Sequence, residues 1–340
     1  MGPKTNRNTQ VLLARRPQGA PTEEDFRIVE TAMPETRPGT VLVQNLYLSL
    51  DPYMRGRMND AKSYIPPIEI DAVMGGGTVG KVIRSDIADM PEGAIVEGLL
   101  GWQAFAVAKP KALRIVDPTL APISTALGVL GMPGLTAYFG LLDLGKPEPG
   151  DTVVVSAASG AVGSIVGQIA KRQGCRTVGV VGTEEKARYI LDTLGYDVAI
   201  NYQTTDNLRT AIRDAAPDGV NVYFDNVGGP VTDAVFSNLA LRARIVICGQ
   251  ISLYNASRQE MGPRNLTQIL MTRSRIEGFI VFDYLDRYPE GLKDLSTWLA
   301  NGEITYKEDI VDGLQNAPRT FIGLLEGKNF GKQLIKIAEA

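Results

Sequence analysis

The sequence predicts an α/β fold: a doubly wound parallel sheet with helices on both faces, joined to a smaller, mostly β domain. Three observations carry this. Asp151 to Gly174 reads D-T-V-V-V-S-A-A-S-G-A-V-G-S-I-V-G-Q-I-A-K-R-Q-G, a β-branched run, a small-residue turn and an apolar pattern at helical spacing. Beyond it, short apolar runs alternate with helical segments, the rhythm of βαβ units. Residues 1–125 instead carry Pro and Gly among short alternating runs, the texture of a small, partly closed β domain. The expected boundaries are 1–128 for the β domain, 129–304 for the parallel sheet, and 305–340 for a tail that returns to the first domain.

In the first domain, Val41 to Leu50 alternates like a strand. Val73 to Ile83 is a glycine-rich strand region. Its three glycines, Gly75 to Gly77, are no phosphate loop, because no helix follows; bulges and close packing explain them. Gly93 to Val107 offers further short runs. Leu127 to Leu144 reads as a helix broken at Pro133-Gly134. Val153 to Val155 is the first parallel strand, and Val162, Ile165, Val166 and Ile169 mark its helix. Strands follow at Val178–Val181, Val198–Asn201, Val220–Asp225, Ile245–Gly249 and Ile276–Phe282. Helices fall between them at Glu184–Leu194, Leu208–Ala215 and Val231–Leu241. A helix around Leu292–Asn301 precedes strands near Tyr306–Val311 and Lys332–Ile337.

The turn after the first strand has the chemistry of a dinucleotide site. Small residues let the backbone approach a pyrophosphate, and the unpaired N–H groups of the helix start attract its charge. Gly160 and Gly163 fill the second and third positions of a G-x-G-x-x-G fingerprint, and Ala158 stands at the first. An NAD site places a carboxylate at the end of the second strand, for the ribose 2′-hydroxyl. Here that strand ends Val180-Val181-Gly182-Thr183. The small residues leave room for a 2′-phosphate, with Thr183 and Lys186 to bind it, so NADPH is the expected cofactor. Glu184 and Glu185 argue the other way unless they sit in the first turn of the next helix, where acids favour the dipole. Lys186 reads equally as a solvated helical lysine.

Composition narrows the chemistry. A net charge of −3 argues against nucleic acid or an anionic membrane as the main partner. No run of ~18 apolar residues occurs. The polar N-terminus shows no signal-peptide core, and Asn6 stands where a myristoylation signal wants Ser or Thr. Two cysteines, Cys175 and Cys248, make no disulfide framework, and a reducing cytoplasm is the expected compartment. The chain has no histidine. Ser-His-Asp and Cys-His sites are therefore excluded, and neither the catalytic nor the four-cysteine zinc site of alcohol dehydrogenases can be built. No metal is expected. Acid–base chemistry falls to Tyr, Lys, Asp, Glu, a substrate group or water.

Five segments carry a family resemblance: Asp51-Pro52-Tyr53-Met54-Arg55, Ala157 to Lys171, Tyr223 to Gly229, Cys248 to Asn255 (C-G-Q-I-S-L-Y-N), and Gly327-Lys328-Asn329-Phe330-Gly331-Lys332. They span nearly the whole chain. In them the protein resembles the zinc-independent medium-chain dehydrogenase/reductases, within these the prostaglandin/alkenal double-bond reductase group, and most of all its microbial curcumin-reducing members. The resemblance implies a GroES-like β domain built from the N-terminal part and the tail, a Rossmann domain between them, and a cofactor in the cleft. It implies that Gly160, Ala161, Val162 and Gly163 hold the pyrophosphate and that Lys186 and Tyr202 approach the 2′-phosphate. Asn226, the segment Cys248, Gly249, Ile251, Ser252 and Tyr254, then Phe279, Ile280, Val281 and Asn329, would complete the cofactor surround. It also implies a homodimer joined through Rossmann edge strands, with Ile276–Phe282 the candidate edge.

A nicotinamide hydride needs only a positioned, polarised acceptor. The α,β-unsaturated carbonyls, enals and enones, fit a site without metal or histidine: charge develops on the carbonyl oxygen as an enolate, and aimed donors lower the barrier. Tyr254, just past the fifth strand, is the leading donor, protonated at neutral pH. Two other readings stay open: a half-buried tyrosine bonded to backbone, and a site in which water supplies the proton. Tyr53 and Tyr64 are candidate substrate contacts, against the reading that they pack proline loops. Arg55 and Arg57 could bind an acidic substrate group but read rather as solvated or ion-paired surface, Cys248 as a small buried apolar residue, Cys175 as structural, and Asp225 as a turn or cap. Two alternative functions remain at this stage, a quinone reductase on the same cofactor domain and a catalytically silent NADPH-binding protein.

Overall fold

The computed structural model describes residues 7–258 and 260–339, which divide into two compact units. One comprises residues up to Leu127 with Glu308–Asn329 and Gln333–Ala340; the other comprises Gly128–Lys307 with Phe330–Lys332.

The first unit is built on a sheet in the order Glu308–Asp312, Lys332–Lys336, Val41–Ser49, Thr78–Arg84, Ile95–Gly98 and Leu113–Ile115. Phe105–Ala108 also pairs with Val41–Ser49, and Arg7–Leu13 forms a separate antiparallel pair with Phe26–Ala32. Its core holds Trp102, fully buried, stacked on Phe26 at 5.7 Å and met edge-on by Phe321 at 5.6 Å. The middle glycine of the triplet serves this packing. A Cβ on Gly76 would stand 2.9 Å from Met54 Cε and 3.0 Å from Trp102 Nε1. Phe321 comes from a helix, Ala317–Leu325, that sequence patterning passed over; its Pro318 lies in the first turn, where no N–H is needed. Arg55 corrects another expectation. It is 2 % exposed rather than solvated, and donates to Asn59 Oδ1 and to the Gly19 carbonyl, both at 2.7 Å.

The second unit is a six-stranded, wholly parallel sheet. Its order is Val198–Asn201, Arg176–Val181, Thr152–Ser156, Val220–Asp225, Leu239–Ile247 and Arg275–Gly278. In chain order this is 3-2-1-4-5-6, the Rossmann arrangement, and it reverses between the first and fourth strands. The helix Gly163–Arg172 buries Ile165, Val166 and Ile169, the residues whose spacing predicts it.

Three expectations here need correction. The helix expected over 127–144 starts at Met132, with Pro133 and Gly134 in its first turn rather than at a break. A Cβ on Gly134 would stand 1.9 Å from the Val129 carbonyl oxygen, so glycine is required. The helix expected to reach Leu241 ends at Phe236, and the fifth strand begins at Leu239. The sixth strand covers Arg275–Gly278 only, and Val281–Arg287 turns into a 3-10 helix.

Candidate active site

The site begins at the crossing of the first strand and its helix. Ala157 takes φ +50°, and the chain passes so close to itself that a Cβ on Gly163 would stand 2.4 Å from the Ala157 carbonyl oxygen. Ala158, at the departure from the fingerprint, is fully buried and can carry its methyl. The N–H groups of Val162 and Gly163 donate to no group among the described residues. They are the orphan donors of a helix start, the donor set a pyrophosphate takes. Tyr196 braces the same helix: its hydroxyl donates to the Gly163 carbonyl at 2.7 Å, and its ring fills the space a side chain on Gly167 would need.

At the end of the second strand, Thr183 caps the helix Glu184–Asp192 and accepts from the Lys186 amide at 3.2 Å. Glu184 and Glu185 lie in its first turn. The Glu184 carboxylate accepts from the Asn201 side-chain amide at 2.8 Å, so it is engaged by the third strand. Tyr202, about half exposed, lies with its ring 3.2 Å from where a Gly182 Cβ would stand. The strand end therefore offers glycine, a hydroxyl cap, a lysine and a tyrosine; of the two glutamates that follow, Glu184 is held by Asn201 and Glu185 is exposed in the first turn of the helix. These residues fit a phosphorylated ribose.

Between the fourth and fifth strands the structure gathers Asn226, Cys248, Gly249, Ile251, Ser252 and Tyr254 at the carboxyl ends, beside the topological switch. Asp225 organises them. It is fully buried and accepts from the Ser156 hydroxyl, the Tyr223 hydroxyl (2.9 Å), the Val227 and Gly228 amides (2.9 Å each), the Thr232 hydroxyl (2.7 Å) and the Gln250 side-chain amide (3.0 Å). Its backbone carbonyl takes the Cys248 and Gly249 amides. Asn226 is tied to the first strand, its amide to Ser156 Oγ and its side chain to the Ser156 carbonyl, each at 2.8 Å. Ser252 Oγ donates to the Val227 carbonyl at 2.7 Å. Ser156, Tyr223, Thr232 and Gln250 were not identified from the sequence. The role of Ser156 depends on parallel pairing between strands some seventy residues apart, which no local pattern reports, and those of Tyr223, Thr232 and Gln250 depend on the turn that gathers them on Asp225.

Tyr254 closes the turn after Ile251–Leu253. Its hydroxyl oxygen accepts from the Gln250 amide at 3.3 Å, which leaves the O–H hydrogen for another acceptor. Burial raises its pKa, so the hydroxyl stays protonated across the neutral range. Burial pushes the Cys248 thiol up to about 12 and the Cys175 thiol to about 11, so neither is a ready thiolate nucleophile. Phe279 packs against Phe224 at 6.5 Å, with Ile280 and Val281 following. Gly140 makes room for it; a Cβ there would stand 2.5 Å from Phe279 Cζ.

Tyr53, Tyr64 and Asn329 belong to the other unit. Tyr53 opens the short helix Tyr53–Arg57, and burial followed by the Asp51 charge raises its pKa. Tyr64 is 57 % exposed. Among the described residues no group of three or more Cys, Asp or Glu is placed to hold a metal ion, and no helix is long and apolar enough to cross a membrane.

Two family models match the chain. One, described as the N-terminal domain of oxidoreductase, covers residues 9–116; the other, described as zinc-binding dehydrogenase, covers residues 161–297. The NADPH-dependent curcumin reductase of Escherichia coli is 47 % identical over 99 % of both chains. The NADP(+)-dependent 2-alkenal reductase of Nicotiana tabacum is 40 % identical over 97 % of this chain and 98 % of its own. Among solved structures, CurA from Vibrio vulnificus in complex with NADPH superposes with a TM-score of 0.93 at 48 % identity, covering 98 % of this chain and all of that one.

Proposed function

The chain belongs to the medium-chain dehydrogenase/reductase family, in the zinc-independent group of the curcumin, alkenal and prostaglandin reductases, and from that premise we propose that it is an NADPH-dependent reductase of the carbon–carbon double bond of α,β-unsaturated ketones and aldehydes. The cofactor supplies a hydride to the substrate's β-carbon. Tyr254 donates to the carbonyl oxygen as enolate charge develops, and the α-carbon then takes a proton from Tyr254 or from water.

The carrying observation is Tyr254 itself, a protonated hydroxyl at the carboxyl end of the fifth strand, in a chain without histidine. A donor whose hydrogen bonds strengthen with developing charge lowers the barrier without moving a metal or an imidazole proton. Gly160 to Gly163 would hold the pyrophosphate. Thr183, Lys186 and Tyr202 would take the 2′-phosphate, and Asn226, Cys248 to Ser252, Phe279 to Val281 and Asn329 the remaining cofactor. Tyr53 and Tyr64 would line the substrate side. The domain roles follow: the β unit binds substrate and the parallel sheet binds cofactor.

The working form is proposed to be a homodimer. Arg275–Gly278 ends the sheet with its outer edge unpaired among the described residues, and an unpaired edge strand is a template for a second copy. Ile276 on it and Leu266, Leu270 and Met271 on the helix Leu266–Thr272 are exposed apolar residues that a second copy would cover.

The test is cofactor oxidation with NADPH and NADH, using a medium-chain 2-alkenal, curcumin and a simple quinone as acceptors. Saturated-carbonyl product with NADPH, and a loss of roughly 10²–10³ in kcat for Tyr254→Phe, is expected. Quinone turnover alone, or a preference for NADH, would overturn the substrate or the cofactor assignment. Tight NADPH binding without turnover would turn the reading to a silent binding protein.

A further inference from the structure

Three residues of the tail, Phe330 to Lys332, group with the parallel-sheet unit. Gly331 forms a parallel bridge with Gly160, in the turn assigned to the pyrophosphate. It takes φ +83°, and a Cβ there would stand 2.3 Å from the Lys307 carbonyl oxygen, so only glycine fits. The Lys332 amide donates to that same carbonyl at 2.8 Å. Phe330 meets Tyr189 edge-on at 4.9 Å. The Lys307 ammonium stands 3.7 Å from the Phe330 ring centre and 5.5 Å from that of Tyr189. Tyr189 lies one turn beyond Lys186 on the helix that Thr183 caps.

These contacts link the two places assigned above to the pyrophosphate and the 2′-phosphate of one dinucleotide. The tail is seated on the pyrophosphate turn through Gly331, and Phe330 seats it on the helix carrying Lys186. Lys307 joins both through its carbonyl and its ammonium. Its side-chain partners among the described residues are the two rings and no carboxylate, so its charge is uncompensated locally. We propose that Lys307, Phe330 and Tyr189 form a cation–aromatic clamp that holds the turn and the 2′-phosphate helix in their binding arrangement, and that this clamp sets affinity for the phosphorylated dinucleotide without taking part in hydride transfer. The proposal rests on the NADPH reading above. Its physical basis is preorganisation: a turn already fixed by the tail loses less freedom when its N–H groups close on a phosphate, and a positive charge nearby adds attraction for the anion.

The experiment is fluorescence titration of NADPH on the full-length wild type and on Lys307→Met, Lys307→Arg, Phe330→Leu and Phe330→Tyr, with melting midpoints of the cofactor-free proteins and steady-state kinetics at saturating NADPH. Lys307→Met and Phe330→Leu are expected to weaken NADPH binding about three- to tenfold. Lys307→Arg and Phe330→Tyr, which keep the cation and the ring, are expected to bind within about twofold of wild type. The kcat and the KM for the acceptor stay unchanged, because the clamp acts on cofactor affinity alone. Equal binding in all variants would overturn the clamp while leaving the cofactor assignment intact. So would a weakening that the conservative variants share, or one that lowers kcat in the same proportion. A wild type that holds NADPH no better than NADH would overturn the cofactor reading itself, and the clamp with it.

Discussion

The side-chain amide of Asn201 donates to the Glu184 carboxylate at 2.8 Å, joining the end of the third strand to the first turn of the helix that follows the second. This bond accounts for the first of the two glutamates that follow a strand end without a carboxylate, and Glu185 lies beside it in the first turn of the helix. Glu184 is a helix-start acid with a fixed partner, in the position where the dipole stabilises it. Lys186, two residues on, is the residue proposed to discriminate between the cofactors. Lys186→Ala is expected to raise the KM for NADPH about 10- to 100-fold, the worth of a hydrogen bond between charged groups, and to leave the KM for NADH unchanged. Steady-state kinetics with both cofactors check this; an equal rise for both would remove Lys186 from the 2′-phosphate.

Asp225 is a positioning residue with measurable consequences. Six donors, from the first and fourth strands, the following turn, the next helix and Gln250, converge on its carboxylate in a fully buried setting. Asp225→Asn removes the charge and turns an N–H₂ toward groups that are themselves donors. A loss of about 3 kcal/mol or more in urea-measured stability is expected, with weaker NADPH binding through the displaced Asn226 and Gly249. A change below about 1 kcal/mol would mean the network reorganises at little cost.

The local parts of this architecture were legible because each is written in a few adjacent residues. Val153 to Val155, the small turn and the helical spacing from Val162 to Ile169 specify strand, crossing and helix without long-range information. The absence of histidine was equally plain, and with it the exclusion of whole mechanisms. What escaped depends on contacts distant in sequence. Arg55 looked like surface because its partners, Asn59 and the Gly19 carbonyl, enclose it only in the folded state. The tie from Ser156 to Asn226 requires the pairing of the first and fourth strands to exist first, and that from Asp225 to Gln250 the pairing of the fourth and fifth. The helix Ala317–Leu325 hid behind Pro318, which reads as a breaker unless it falls in a first turn.

Buried tyrosines set an alkaline limit. Burial raises the pKa of Tyr196 and of Tyr223 well above the ordinary value near 10. A folded-state pKa above the unfolded one gives stability that is fully present below about pH 10 and lost as pH rises toward the folded values. Near-neutral pH should therefore leave stability flat with respect to these groups. Above about pH 10, tyrosinate absorbance at Tyr196 and Tyr223 should appear together with loss of far-ultraviolet circular dichroism, in one transition. Ionisation of all twelve tyrosines with the fold intact would contradict the burial seen here.

The sheet edge leads to the last expectation. Arg275–Gly278 is four residues long and exposed at each of them, with Ile276 43 % exposed. Leu266 and Leu270, at i and i+4 on the neighbouring helix, are 71 % and 77 % exposed. Water penalises such a surface, and two copies related by a twofold axis would cover it while satisfying the edge amides and carbonyls of both. Charge at the centre of that face should reverse the balance, because burying an unpaired carboxylate costs more than the apolar contact returns. Ile276→Asp combined with Leu270→Asp is expected to convert a two-chain particle into a single chain, measured by light scattering after gel filtration, while NADPH binding to each Rossmann unit persists. A wild type that runs as one chain at all concentrations would refute the dimer, and a double variant that remains two chains would move the interface to another surface.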